Sequence, residues 1–278
     1  MSKSHPKVII LIKHGLYLPY IELAQNGQGS TFLNDPRKSE IRVIHFYGIP
    51  GGKTVQFLDR THEYFRWKNR FTKILLRMLD WVISAPFMLW IPKVEKSMEL
   101  HLSDEEVQCS VIDTIQTLRW KQLAVYRHIL SNYEFDYVYE TNASSFIDFT
   151  NLLAQVVKFD TSPLYAGNLP TKKFVSGANR FFDRRALEIL IRNRHRWSPA
   201  LLEDVAIGRV MQRSSVSPIV TSSISIASLE ELQVLPDAMI VNHYHFRVKS
   251  YLAGQRSDAM IMQAIRSRFL KIRANTSL

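Results

Sequence analysis

Two adjacent carboxylates, Glu203 and Asp204, stand inside an otherwise apolar run, Leu201-Leu202-Glu203-Asp204-Val205-Ala206-Ile207-Gly208. Pro199 and the residues after it read as a helix start. Apolar positions 201, 202, 205 and 207 would keep one side of that helix dry and hold the two acids at a cleft wall. A carboxylate so placed can take a proton as a general base or bind a cationic group. Acidic side chains also favour the positive end of a helix dipole, so the pair taken alone fits an ordinary helix start more readily than it fits chemistry. A second polar group lies at the end of Asp136-Tyr137-Val138-Tyr139-Glu140-Thr141-Asn142, a strand running into a polar tip. In open α/β sheets, ligands bind beyond the carboxyl ends of strands. A third candidate is Ala238 to Arg247, read as a strand in which alternation puts His243 and His245 on one face. Paired histidines on a strand are more often packed or exposed than ligating.

The elements that must position these groups are predicted from periodicity. Val8-Ile9-Ile10-Leu11-Ile12, bounded by Lys7 and Lys13, is too short and too closely flanked by lysines for a signal peptide or membrane span. Its β-branched content reads as a buried first strand suited to a parallel sheet. Residues 15 to 40 are loop-rich. Ile41 to Tyr47 reads as a second strand ending in Gly48-Ile49-Pro50-Gly51-Gly52-Lys53, a turn without the full spacing of a phosphate-binding loop. A short strand is expected around Ser97 to Leu102. From Ser103, with Glu106 three residues on as in a capping box, one long amphipathic helix is expected to about Ser131. Ser144 to Asp148 reads as the opening of the next helix, and Arg256 to Arg273 as a basic terminal helix with Met260, Ile261, Ala264, Ile265 and Phe269 on its apolar side.

Composition limits what this framework can be. The 278 residues are 46% apolar, enough for a sizeable core in one domain spanning 1–278. The single cysteine, Cys109, excludes an intramolecular disulfide and a Cys-rich metal site, and suits a reducing compartment. A formal charge of +11 predicts an anionic partner: nucleic acid, an acidic membrane surface or a phosphorylated substrate. Zinc-ligand spacing, aromatic RNA-binding strand motifs and a dominant basic repeat are all missing, so nucleic acid is not the expected partner. Residues 60–96 form a basic, aromatic insertion, Phe65-Arg66-Trp67-Lys68-Asn69-Arg70 leading into an apolar stretch broken by Lys73, Arg77, Asp80 and Pro86. That pattern fits either a membrane-surface segment or an amphipathic hairpin packed on the core. The basic segment 250–278 could likewise lie on an acidic membrane or seal the domain.

Several short motifs then fall in a recognisable order. Asp113-Thr114-Ile115-Gln116-Thr117-Leu118-Arg119-Trp120-Lys121-Gln122 resembles the D-x-Y-x-N-L-T-x-K-T helix of the β-1,3-galactosyltransferase and Fringe-like glycosyltransferases, matching at Asp113, Leu118 and Lys121. Leu164-Tyr165-Ala166-Gly167 resembles the family's Y-x-G strand, and Phe174-Val175-Ser176-Gly177-Ala178-Asn179-Arg180 the start of its Y-x-S-G-x-G-Y motif. Glu203-Asp204-Val205 with Gly208 resembles its E-D-V-x-x-G. The series covers about residues 97 to 210, somewhat under half the chain.

The resemblance implies a GT-A-like, Rossmann-like nucleotide-sugar-binding α/β fold, a mixed sheet flanked by helices. It further implies an inverting glycosyltransferase that moves a sugar from a nucleotide-sugar donor, a UDP-sugar first among the expectations, to a hydroxyl of a glycan or lipid-linked glycan. On that reading Asp204 is the general base, Glu203 orients the acceptor or nearby backbone, and Ser176 and Gly177 let the chain approach the donor sugar. Where the family carries an aspartate triplet for a divalent cation, this sequence has Glu140-Thr141-Asn142. Glu140 and Asn142, with His245, offer a weakened Mn²⁺ or Mg²⁺ site, and metal independence is the other expectation. In that case Lys13, Lys121, Arg180, Arg247 and Lys249 are the cations available to a diphosphate. The departure at the triplet also leaves open a non-catalytic relative that keeps the fold as a binding module. A cytoplasmic setting, or a peripheral one on the inner face of a membrane, is expected, in a bacterium or virus.

Overall fold

The computed structural model describes residues 7–15, 20–50, 98–113, 117–171, 173–197, 201–252 and 255–276. The membrane-surface or hairpin reading of 60–96, and most of the glycine-rich turn after Gly48, lie outside the described residues.

The first apolar run is strand β1 (Val8–Lys13), buried at every position but the last. A strand apolar on both faces must be covered on both, and β1 lies inside an eight-stranded mixed sheet. It pairs in parallel with β2 (Ile41–Ile49) on one side and with β5 (Tyr137–Asn142) on the other. Beyond β2 lie β4 (Glu106–Ile112), parallel, and β3 (Leu100–Leu102), antiparallel to β4. On the other flank the sheet turns antiparallel through β8 (Arg180–Asp183) and β7 (Tyr165–Gly167), and closes with β9 (Ile219–Val220), parallel to β7. A second sheet joins β10 (Ile224–Ile226), β11 (His245–Val248) and β6 (Ser145–Ile147).

Alternation along β1 and β5 divides the interior in two. Ile9, Leu11 and Val138 face helix α1 (Leu118–Asn132), with Leu123, Tyr126 and Ile129, and helices α3 (Arg184–Arg192) and α4 (Glu203–Arg213), with Leu187, Leu190, Ile207 and Met211. Ile10, Ile12 and Tyr139 face the other core, built from α2 (Phe149–Val156), the small sheet and the last helix. Two short helices, α5 (Leu229–Val234) and α6 (Asp237–Val241), precede β11, and the last helix is α7 (Asp258–Thr276). The apolar side of α7, Ile261, Met262, Ile265 and Phe269, is buried, so this basic helix seals a core. Met260, expected on that side, is 41% exposed. No described helix is long and apolar enough to cross a membrane.

Three element expectations are corrected. The single helix expected from Ser103 is a strand, β4, followed by a helix that starts at Leu118. Val107 and Cys109 are buried at a spacing of two, and the free edge of β2 recruits this β-branched stretch. The helix expected from Ser144 begins instead at Phe149, capped by Asp148, which accepts from Asn151 N at 2.9 Å; the residues before it are β6, paired with β11. Residues 238–247 are not one strand. Pro236 and Asp237 open α6, and extended backbone starts only at His245, so His243 and His245 do not share a strand face.

Gly167 shows how tightly β7 and β8 are joined. Its φ is +152°, and a Cβ there would lie 2.1 Å from Asn179 O and 2.3 Å from Val175 Cγ1. Gly167→Ala is expected to destabilise by about 2–4 kcal/mol through strain and overpacking, measured as a lowered melting midpoint. An unchanged midpoint would contradict this packing.

Candidate functional site

The carboxyl end of β1 and the start of α4 meet in a buried ionic cluster. Glu140 on β5 lies directly opposite Arg180 on β8, and both side chains are fully buried. Arg180 Nη2 donates to Glu140 Oε2 at 2.8 Å and also to Glu203 Oε1 at the first residue of α4. Lys13 Nζ, at the last position of β1, donates to Glu140 Oε1 at 2.9 Å and to Glu203 Oε2 at 3.4 Å. Gln122 Nε2, from α1, donates to Glu140 Oε1 at 2.5 Å and to Glu203 Oε1 at 2.7 Å. Tyr126, one turn further along α1, donates its hydroxyl to Glu140 Oε2. Three donors are thus each shared by the same two carboxylates.

Burial alone would raise the Glu140 carboxyl, but the Arg180 and Lys13 charges, with hydrogen bonds from Arg180 and Tyr126, outweigh it and bring the pKa down to about 2. Glu203 is lowered for the same reasons, against its own burial and the neighbouring Glu140. Burial also works against charge on Arg180, and the two glutamates hold its pKa well above the ordinary value. Two cations balance two anions, so the cluster is internally neutral. Arg180 Nε and Nη1 are buried without a hydrogen-bond partner among the described residues.

Asp204 lies beside this cluster rather than in it. Its Oδ1 accepts from Val205 N at 2.9 Å, and its carboxyl is raised above the ordinary aspartate value, first by burial and then by the charge of Glu203. Gly177 is the contact from the opposite loop: a Cβ there would lie 2.6 Å from Lys13 Nζ and 2.8 Å from Glu203 Oε2. A side chain at this position would push the Lys13 ammonium and the Glu203 carboxylate aside. Ser176 shapes the same turn, its Oγ accepting from Ala178 N at 3.3 Å. Further along α4, Gly208 packs onto the same loop, where an added Cβ would meet Phe174 Cβ at 2.5 Å.

Of the residues singled out in the sequence, Lys13, Glu140, Gly177, Arg180 and Glu203 are brought together, with Asp204 and Ser176 adjoining. Lys121 stands apart from the cluster, buried against Asp113 and on the side of His14. Arg247 donates to Asn142 Oδ1. His245 is buried between two hydroxyls, Ser223 Oγ at 2.7 Å from Nδ1 and Ser145 Oγ at 3.1 Å from Nε2, and burial lowers its pKa to about 3. In the sequence, Gln122 stands only at the end of the Asp113–Gln122 motif and Tyr126 only within the expected amphipathic helix. Their spacing of four, placing two polar groups on the buried side of α1, is the signal that could have found them.

The residues expected to hold a divalent cation do not fit one. Each Glu140 oxygen already accepts two donors, Lys13 and Arg180 among them. Asn142 Oδ1 accepts from Arg247, Ser144 N and Ser145 Oγ. Both His245 ring nitrogens have partners, and among the described residues no three His, Cys, Asp or Glu side chains gather as a metal site.

No protein-family model matches this sequence, and no curated protein matches it. Among solved structures, it is similar to the mannosyltransferase PcManGT from Pyrobaculum calidifontis in complex with GDP-Man and Mn²⁺, at 10% identity and a TM-score of 0.40. That match covers 79% of this chain and 55% of the other. It is also similar to the apo form of the glycosyltransferase GlyE of Streptococcus pneumoniae TIGR4, at 11% identity and a TM-score of 0.42, covering 98% of this chain and 64% of the other. The chain therefore spans less than two thirds of either structure.

The cluster sets an acid limit on stability. A carboxyl whose folded pKa is depressed stabilises fully above its unfolded value and loses that contribution as pH falls through the folded one. For Glu140 the window runs from the ordinary 4.5 down to about 2. Denaturant unfolding followed from pH 6 to pH 2 is expected to weaken through that range. Arg180→Gln, which leaves two buried carboxylates with one cation, is expected to cost about 3–5 kcal/mol at pH 7 and much less near pH 2. An equal loss at both pH values would overturn the assignment.

Proposed function

We propose that this protein is an inverting glycosyltransferase, moving a sugar from a nucleotide-sugar donor to a hydroxyl of a glycan acceptor, with Asp204 as general base. The observation that carries the reading is the pinning of Glu203 by Arg180, Lys13 and Gln122, which fixes the first turn of α4 and sets the Asp204 carboxylate beside the cluster near the carboxyl end of β1. Attack of an acceptor hydroxyl on the anomeric carbon forms the new glycosidic bond as the bond to the nucleoside diphosphate breaks and the diphosphate leaves, and the hydroxyl proton must pass to a base. A held carboxylate of raised pKa takes that proton better than an ordinary aspartate, because its conjugate acid is weaker.

In this mechanism Glu203 is a positioning residue. Its oxygens are occupied by Arg180, Gln122 and Lys13, and it acts by aiming α4 and by keeping the pKa of Asp204 high. The Ser176–Gly177 turn closes the opposite side, with Gly177 packed close to the Lys13 ammonium and the Glu203 carboxylate. Inversion needs a single displacement, so one base suffices, and the reading asks for no nucleophile on the protein.

Asp204→Asn is expected to lower turnover by roughly 10²–10⁴-fold, the usual contribution of a positioned base, with donor affinity kept. Retained turnover would sink the assignment. The acid limb of kcat/KM against pH is expected above the ordinary aspartate value of 3.8, and to move to lower pH in Glu203→Gln, which removes a neighbouring negative charge. A limb that stays in place would separate Glu203 from Asp204.

A further inference from the structure

Residues 184–213 hold seven arginines and no lysine, against Glu188, Glu203 and Asp204. Glu203 is bound inside the ionic cluster by Arg180, Lys13 and Gln122, so it offsets none of that charge. Arg185 and Arg192 are seven residues apart on α3, and Arg209 and Arg213 four apart on α4, spacings that put each pair on one side of its helix. All four are exposed, and so is Arg196 in the short turn Arg194–Arg196 that follows α3. None of these five arginines forms an ion pair among the described residues, and neither does Glu188.

The two helices pack on each other and cover the same face of the main sheet with Leu187, Leu190, Ile207 and Met211, so their outer sides both turn away from it. Arg119 Nη1 donates to Trp197 O, which pins the turn to α1. Trp197 and Leu201 are four residues apart, at most about 14 Å, so the turn lies near the head of α4. There Leu202 is 41% exposed, on the side of α4 that leads through half-buried Val205 to Arg209. From Leu202 to Arg213 the helix runs about 16 Å, so these charges are spread too widely for a single phosphate and suit an array of anionic headgroups. An exposed leucine ringed by arginines also suits a lipid surface, where the apolar side chain enters and the guanidiniums meet the headgroups. Nucleic acid is the weaker match, because no Phe, Tyr or Trp is among the large exposed side chains of the described residues and a base would find no ring to stack on.

We infer that the outer side of α3, the Arg194–Arg196 turn and α4 docks on an acidic membrane surface, with Leu202 entering between the headgroups. The docking stands on charge and exposure alone. Its consequence for catalysis rests on the glycosyl-transfer reading: Asp204, two residues after Leu202, would then meet an acceptor carried by the same membrane.

The test is co-sedimentation of the full chain with vesicles of phosphatidylcholine alone and with vesicles of equimolar phosphatidylcholine and phosphatidylglycerol. Binding is expected to the acidic vesicles only, and is expected to be lost in molar salt, which screens exposed charges. Arg192→Gln, Arg196→Gln and Arg209→Gln are each expected to weaken partitioning about fivefold, the usual worth of one basic side chain near an acidic surface. Lys271→Gln removes an exposed charge from α7, which covers the other core, and is expected to leave partitioning unchanged. Circular dichroism melts of each variant separate weakened binding from unfolding. Binding to neither vesicle, binding unaltered in the folded arginine variants, or binding weakened as much by Lys271→Gln would overturn the surface. Duplex DNA or single-stranded RNA bound more tightly than the acidic vesicles, through the same arginines, would overturn the membrane assignment. Arginine-dependent vesicle binding by a chain that transfers no sugar would uphold the surface and refute the glycosyl-transfer reading alone. Transfer to a soluble acceptor by a chain that ignores acidic vesicles would do the reverse.

Discussion

One nitrogen, Nη2 of Arg180, is shared by two carboxylates from elements far apart in the chain, the fully buried Glu140 in the middle of the sheet and the partly buried Glu203 at the head of α4. Neither carboxylate could remain ionised in a dry interior without it, and Arg180 could not remain buried without them. Lys13 and Gln122 repeat the same double engagement, so the strand ends, α1 and α4 are joined through one charge-balanced knot. Such a knot is a poor device for stability alone, since well-packed apolar side chains would hold these elements at least as firmly. Its value is directional: guanidinium, ammonium and amide donors fix where Glu203 points, which apolar packing does not.

The neighbouring features follow from that fixed point. With Glu203 bound inward, the carboxylate of the next residue of α4 lies beside the cluster, and the glycine at 177 leaves room for the loop that packs against Glu203. The sheet contributes by register. Glu140 is brought opposite Arg180 on one side and Leu11 on the other, and Asn142 opposite Lys13, so the cluster and the arginine-bound turn are separated by two residues of β5.

Sequence patterning reached the parts of this arrangement that depend on local rules. The first strand, the helix that begins with the acidic pair, the Tyr165–Gly167 strand and the terminal basic helix are all present. The pairing of Lys13, Glu140, Arg180 and Glu203 involves residues up to 190 positions apart, and only strand register reveals it. The helix expected from Ser103 shows the opposite limit, because Val107, Val111 and Ile112 satisfy a helical period as well as a strand's, and the decision was made by the open edge of β2. Residues 238–247 carried a readable signal, Pro236 followed by Asp237, that the apolar run obscured. Gln122 was hidden inside an amphipathic helix.

The glycines at 177 and 208 have a mechanical consequence. Helix α4 meets the 173–177 loop twice, at Gly208 against Phe174 and the Lys173 backbone, where a larger residue would not fit, and through the Glu203 side chain against Gly177. Two such contacts, five residues apart on the helix, prevent the loop from rocking on α4 about either one. Helix and loop are thereby packed as one unit along the wall that carries Asp204.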